Sequence, residues 1–333
     1  MITAPKVSIC IPTYNQVQHV AEAVASALKQ DCEDIEVVVS ENHCTDGTRE
    51  YLESILDPRL RVVRPPEHLP VAKNFNFCAS QARGRYLSFL SSDDVLEPAF
   101  ASKLSTLLDM APGAAFAYCA SSLVDGNGRV IGLERHVGGS FHRNGRKELR
   151  RFIAGSRCVF DTMMIRRECY EKSGGLGIPR KGAYFRELPD WDLDLRLLMT
   201  GDVIYLDEVL VRFRFWSAPN REDNSRRLPR YIEEIGRLFD TTVAEIVKEE
   251  PDLARYARKA RKSMAVNCAL GVGQLKGLPP YEESVRNVMR IDDSPLVRLT
   301  LLLHRCGMSP LVDAARTLEH WMRHRVKGML YQH

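Results

Sequence analysis

Ser91-Ser92-Asp93-Asp94 directly follows the apolar run Tyr86–Leu90. Two adjacent carboxylates where a buried strand ends repel each other unless positive charge lies nearby. A hard divalent cation sharing its shell with phosphate oxygens answers that need; so does the plainer alternative, in which one acid caps the helix beginning near Glu97-Pro98. Ser40-Glu41-Asn42 follows the run Ile35–Val39. A carboxylate there accepts from a ring N–H, and an amide both donates and accepts, which suits a nucleobase edge as well as an ordinary polar loop. In Pro189-Asp190-Trp191-Asp192-Leu193-Asp194-Leu195-Arg196 three acids stand at i, i+2 and i+4. On a helix Asp190 and Asp194 share a face while Asp192 points elsewhere. Asp190, just after a proline, is either a helix-terminal cap or a general base aimed into a cleft.

These residues need elements to hold them. Val7–Ile11, Ile35–Val39, Leu60–Val63, Tyr86–Leu90 and Ala114–Cys119 read as buried strands. Helical spacing fills 17–28, 71–82 and 98–109, and Thr48 is placed to cap a helix running to Leu56. Alternation of this kind predicts an open α/β sheet, mostly parallel and flanked by helices, with ligands at the carboxyl ends of its strands. The loops after Ile11, Val39 and Leu90 are therefore where a site belongs. Past residue 120 the pattern changes: Asp125–Gly128 is a turn, Asp190–Met199 a helix, and Val203–Leu206 and Val209–Phe215 are strands. From Arg226 almost everything is helical, punctuated by prolines. The polar stretch Ala218–Ser225 divides a domain of residues 1–225 from a helical subdomain of residues 226–333.

Composition narrows the class. The 333 residues are 44% hydrophobic and 27% charged, the make-up of a soluble globular protein. With 47 basic and 43 acidic residues the balance is too even for a nucleic-acid-coating protein, so no nucleic-acid partner is expected. The basic excess is concentrated late, 19 Lys/Arg against 13 Asp/Glu over residues 226–333. Nine cysteines, an odd number with no C-x-x-C pair, imply reduced thiols rather than a disulfide framework or a zinc ribbon. The start of the chain has no apolar leader and no run approaches the roughly 18 residues of a membrane span. A cytoplasmic location follows as an expectation. No G-x-G-x-x-G follows the first strand and no G-K-[ST] occurs anywhere, which argues against dehydrogenases and P-loop enzymes. Leu311, Ala315, Leu318, Met322, Val326 and Met329 form one helical stripe beside Trp321 and several basic residues. It either packs on neighbouring helices or a second copy of the chain, or lies on an anionic membrane surface.

Taken in order, these segments resemble the family 2 glycosyltransferases, which have the GT-A fold, a Rossmann-like sheet flanked by helices. Val7–Asn15 looks like the family's opening strand and loop, Val37–Thr48 its second strand and acidic loop, and Lys73-Asn74 a basic-Asn pair. Gly84–Asp94 is similar to the strand leading into a metal-binding D-x-D. Gly174-Gly175-Leu176 resembles a glycine pair lining the sugar pocket, and Asp190-Trp191-Asp192-Leu193 the motif carrying the catalytic base. The resemblance spans about residues 5–216. It implies a nucleotide-diphosphate sugar donor bound by Pro12, Thr13, Tyr14, Asn15, Glu41, Asn42, Lys73, Asn74, Ser92, Asp93, Gly174 and Gly175. It further implies a divalent metal, Mn2+ or Mg2+, on Asp93 and Asp94, and Asp190 as base in a single inverting displacement. Glu41 would accept from the N3–H that uracil and thymine share; UDP is expected as the nucleotide, with a thymidine diphosphate second. The acceptor would be a glycan or lipid-linked glycan at the inner face of a bacterial membrane, in cell-surface polysaccharide synthesis. The chain departs from the pattern at Ser91, where the first D-x-D acid stands, at Pro189, where a Glu usually stands, and at Trp216, where a His often stands. Those departures leave a second reading, a non-catalytic nucleotide-sugar-binding relative.

Overall fold

Val7–Thr13 (β1) and Ile35–Glu41 (β2) are buried along their whole lengths, on both faces, as central strands of a covered sheet are, with the polar Ser8 donating to Glu36 at 2.6 Å. A computed structural model describes residues 4–136, 138–178, 185–215, 221–278 and 280–306. It divides into two compact units, Met1–Ser217 and Ala218–His333.

In the first unit the remaining strands are Leu60–Val63 (β3), Tyr86–Phe89 (β4), Val95–Leu96 (β5), Ala114–Val124 (β6), Val130–Glu134 (β7), Phe141–Arg143 (β8), Met163–Arg166 (β9) and Asp202–Arg214 (β10). The helices are Val17–Leu28 (α1), Thr48–Glu53 (α2), Val71–Gln81 (α3), Phe100–Met110 (α4), Gly145–Phe152 (α5), Arg167–Ser173 (α6) and Pro189–Leu198 (α7). The sheet order is β3-β2-β1-β4-β9-β6-β10-β5, with β7 on β6 and β8 on β10. The half containing β3, β2, β1 and β4 is parallel throughout. β9 then enters antiparallel between β4 and β6, and β10 runs parallel to β6. Val203–Leu206 and Val209–Phe215, expected as two strands, form the single β10, interrupted by register shifts near Leu206 and Val209.

In-register pairing sets where loops meet. Thr13 lies opposite Glu41, and Cys10 opposite Phe89, so the carboxyl ends of β1, β2 and β4 share one edge. Because β9 is antiparallel to β4, with Met164 opposite Ser88, the residues just before Met163 return to that same edge. Behind it, Val20, Ala23, Val24 and Ala27 of α1 pack against β1, β2 and α4 in the main apolar cluster. The cap of α2 differs from expectation: Gly47, at φ 94°, takes the cap position. Asp46 then accepts from the Thr48 N–H and hydroxyl and from the Val17 N–H, tying α2 to α1.

The second unit is helical, as expected: Arg221–Leu238 (α8), Ala244–Glu249 (α9), Ala254–Val272 (α10), Tyr281–Ile291 (α11) and Pro295–Arg305 (α12). α11 packs on α8 and α10, and α12 on α10. The second half of the expected linker, from Arg221, is helix. Its Arg-Glu-Asp composition reads as a loop but carries no helix breaker and places acids in a first turn. Among the described residues no helix is long and apolar enough to cross a membrane. Trp216 and the stripe at 311–330 lie outside the described residues.

Candidate active site

The loops after β1 and β2 are locked together. Asn15, at φ 50°, accepts from the Thr45 N–H at 2.8 Å and donates its own N–H to the Cys44 thiol at 3.3 Å. Asn tolerates this left-handed backbone better than most residues. The Asn42 N–H closes onto the Thr13 carbonyl at 3.1 Å. Glu41 is 1% exposed; one carboxylate oxygen takes the Cys44 N–H and the other faces Arg64 Nε at 3.2 Å. Arg64 Nη2 donates to His43 Nδ1, whose ring in turn donates from Nε2 to the Pro65 carbonyl. Tyr14, half exposed, lies 4.4 Å from the His68 ring. Pro12, Thr13, Tyr14, Asn15, Glu41 and Asn42 are thus gathered as expected. The Asn42 amide also exchanges two 2.8 Å hydrogen bonds with the Leu69 backbone and so fastens the 65–70 loop. Arg64, His43 and His68 were invisible as site residues in the sequence, being isolated polar positions in a loop.

The turn after β4 is held from two sides. The Asp94 N–H donates to the Ser91 carbonyl at 3.1 Å, closing a turn that leaves Asp93 partly exposed and Asp94 buried. From β10, the Arg214 N–H donates to Asp94 Oδ1 at 2.7 Å, its Nε to the Asp93 carbonyl at 3.0 Å, and its Nη2 to Glu22 at 2.8 Å. On the other side the Ser91 N–H donates to Asp161 Oδ1. Burial, and then repulsion from Asp161, raise the Asp94 carboxyl far above the ordinary range; burial raises Asp161 less. Lys73 is exposed in the first turn of α3, while the neighbouring Asn74 is buried and accepts from the Ser40 hydroxyl at 2.6 Å. Asn74 therefore braces β2 against α3.

The donor set suits a hard cation: the partly exposed Asp93 carboxylate, with a buried Asp94 oxygen that no N–H reaches. Among the described residues no three His, Cys, Asp or Glu side chains form a cage, so phosphate or water oxygens would complete the shell.

The three acids of α7 have three environments. Leu188 occupies the cap position and makes no side-chain cap bond, so Asp190 is not the cap. It is partly exposed in the first turn, and burial raises its carboxyl above the usual range despite nearby backbone N–H groups. Asp192 is fully buried and pairs with Arg196 at 2.7 and 3.0 Å. Asp194 is buried against the Ser156 hydroxyl at 2.7 Å and the Cys158 thiol at 3.5 Å. The Trp191 indole N–H, donating to the Phe152 carbonyl at 2.6 Å, fixes the turn that carries Asp190.

That pair and Asn76 build the glycine loop. Arg196 donates to the Ser173 and Gly175 carbonyls. The Asn76 side chain bonds both the N–H and the carbonyl of Leu176, at 2.9 and 2.7 Å, and accepts from the Tyr170 hydroxyl. Gly174 and Gly175 lie at φ 84° and 81°, and a Cβ on Gly175 would meet Asn76 Oδ1 at 2.7 Å. Gly177 is nearly as tight and was not anticipated. At φ 58°, its Cβ would fall 2.8 Å from Ala72 Cβ and 3.5 Å from Pro189 Cβ. Gly177 is thus wedged between the residue before Lys73 and the residue before Asp190, and it brings the first turns of α3 and α7 together. Gly177→Ala is expected to force these turns apart, destabilising the fold by about 1–3 kcal/mol. Turnover should fall with it; a variant with wild-type melting temperature and turnover would show that the wedge has slack.

Residues 8–174 match glycosyl transferase family 2. A putative teichuronic acid biosynthesis glycosyltransferase of Bacillus subtilis, TuaG, is 30% identical over 215 residues, 63% of this chain and 79% of that protein. Chondroitin synthase of Pasteurella multocida is 38% identical over 96 residues, 28% of this chain, and the match spans only 10% of that larger protein. The structure of S. aureus TarS 1–349 in complex with UDP-GlcNAc is similar in fold, with a TM-score of 0.54 at 17% identity, covering 91% of this chain and 92% of that one. With half of its length matched by the family model, the chain belongs to glycosyltransferase family 2; it spans about a third or less of the length of several of the curated relatives it matches.

Proposed function

We propose that the chain moves a sugar from a UDP-linked donor to a hydroxyl of a glycan or lipid-linked glycan, inverting the anomeric carbon, in bacterial cell-surface polysaccharide synthesis. Asp190 carries this reading: a partly exposed carboxylate outside the cap position, whose basicity is raised by burial, on a first turn that Gly177 packs against the first turn of α3. Such a group takes a proton from an acceptor hydroxyl as the hydroxyl attacks. The names of relatives point to polysaccharide assembly, and the TarS neighbour was solved with UDP-GlcNAc.

The base would sit against Tyr14 in the frame made by the Pro12–Asn15 loop. Glu41 already accepts one N–H and faces Arg64, but a carboxylate has about four lone-pair sites, leaving one for a pyrimidine N3–H. Asp93, backed by Asp94, would hold Mn2+ or Mg2+, which when bound supplies positive charge to the leaving diphosphate. Lys73 adds a second positive charge at the first turn of α3. Gly174 and Gly175 offer backbone without side chains where the sugar would approach. Calorimetry with Mn2+ present tests the donor class: UDP is expected to bind about tenfold tighter than GDP, about 1.4 kcal/mol. Tighter binding of GDP would overturn it.

A further inference from the structure

Asp161 attracts no attention in the sequence. It sits in a short 3-10 turn, Phe160–Thr162, immediately before β9. The antiparallel pairing of β9 with β4 returns this turn to the end of β4. Phe160 stacks on Phe89 of β4 at 5.0 Å and meets Phe75 of α3 edge-on at 5.6 Å, which fixes the turn against both elements. Asp161 is consequently 4% exposed, and both the N–H and the hydroxyl of Ser91 donate to it. Asp94 faces it, with Oδ1 on the Arg214 N–H at 2.7 Å, and its carboxyl shares a hydrogen bond with that of Asp161. Placing a second buried carboxyl beside Asp94 is costly, so its presence calls for a compensating task.

We propose that Asp161 is the positioning residue of the Ser91–Asp94 turn, anchoring Ser91 so that Asp93 is presented to the donor diphosphate. Arg214 grips the Asp94 end and Asp161 the Ser91 end, and Asp93 lies between two fixed points. A turn fixed in this way meets the diphosphate without first having to be ordered. This inference rests on the donor reading proposed above.

Two variants, one isosteric and one longer by a methylene, separate position from charge; melting temperature is measured on both to separate loss of the anchor from loss of the fold. Asp161→Asn keeps an acceptor oxygen where the Ser91 N–H needs it and offers Asp94 Oδ2 a donor. Asp161→Glu keeps the charge but moves the acceptor by one methylene. The readout is UDP affinity by calorimetry in Mn2+, on the full chain, which requires no turnover. Asp161→Asn is expected to bind within about threefold of wild type, and Asp161→Glu to lose about tenfold or more, the range typical of groups that orient a ligand-holding residue. The reverse order would show that Asp161 acts by charge, and equal affinities for all three proteins would show that the anchor is idle; either result overturns the inference. Wild-type protein that does not bind UDP with Mn2+ would overturn the donor reading, and this inference with it.

Discussion

Asp190→Asn is expected to lower the turnover number by about 10²–10⁴-fold, the share ordinarily carried by a general base, and to leave donor affinity nearly unchanged. The amide keeps the size and polarity of the carboxylate but cannot take the acceptor's proton. Leu188, not Asp190, stands at the cap of α7, so the substitution removes no cap and the fold should be untouched. The neighbouring acids cannot substitute. Asp192 is buried on Arg196, and Asp194 on Ser156 and Cys158, each doing structural work. Asp190→Asn with wild-type turnover would remove the base from the mechanism. The pH profile gives an independent check. A base must be deprotonated to act, so activity falls as pH drops through its pKa. Burial raises the Asp190 carboxyl, and the acid limb of kcat should lie above the range of an exposed aspartate.

The second large effect is expected at Asp93. Asp93→Ala leaves Asp94, but its Oδ1 is taken by the Arg214 N–H and its side chain is buried against Asp161. No other described carboxylate is available in the turn to hold a cation beside the diphosphate. The variant should lose the tightening of UDP binding that Mn2+ confers on wild type, together with at least about 10²-fold of turnover, comparable to the loss of one charge-stabilising partner in a transition state. Excess chelator should reduce wild-type protein to a similar level. Full activity in chelator would contradict the assignment of Asp93.

The parts of this site that lie within one stretch of chain were legible in the sequence. A buried strand ending in Asp93-Asp94, or a helix opening on Pro189-Asp190, needs only local pattern to be seen. The parts that hold those residues in place were not, because they come from far along the chain. Asp161 reaches Ser91 across 70 residues, and Arg214 reaches Asp94 across 120. Asn76 meets Leu176 across 100. β9 was missed for a similar reason: Met163–Arg166 is four residues long, and only its insertion between β4 and β6 makes it a strand. Thr48 was misjudged as a cap because Thr is a good capping residue, but Gly47 alone fits the left-handed backbone, and Asp46 supplies the acceptor. Asn42 was legible as a polar loop residue, but nothing local shows that its amide also fastens the Leu69 backbone.

In the proposed reaction Asp190 is the base of a single displacement, and no covalent sugar–enzyme intermediate forms. This course of reaction is tested most directly by the configuration of the bond that the enzyme makes. NMR of the product formed from an α-linked UDP-sugar should show a β-glycosidic linkage, the result of one inversion. An α-linked product would mean net retention, which a single in-line displacement cannot give, and would contradict the assignment of Asp190.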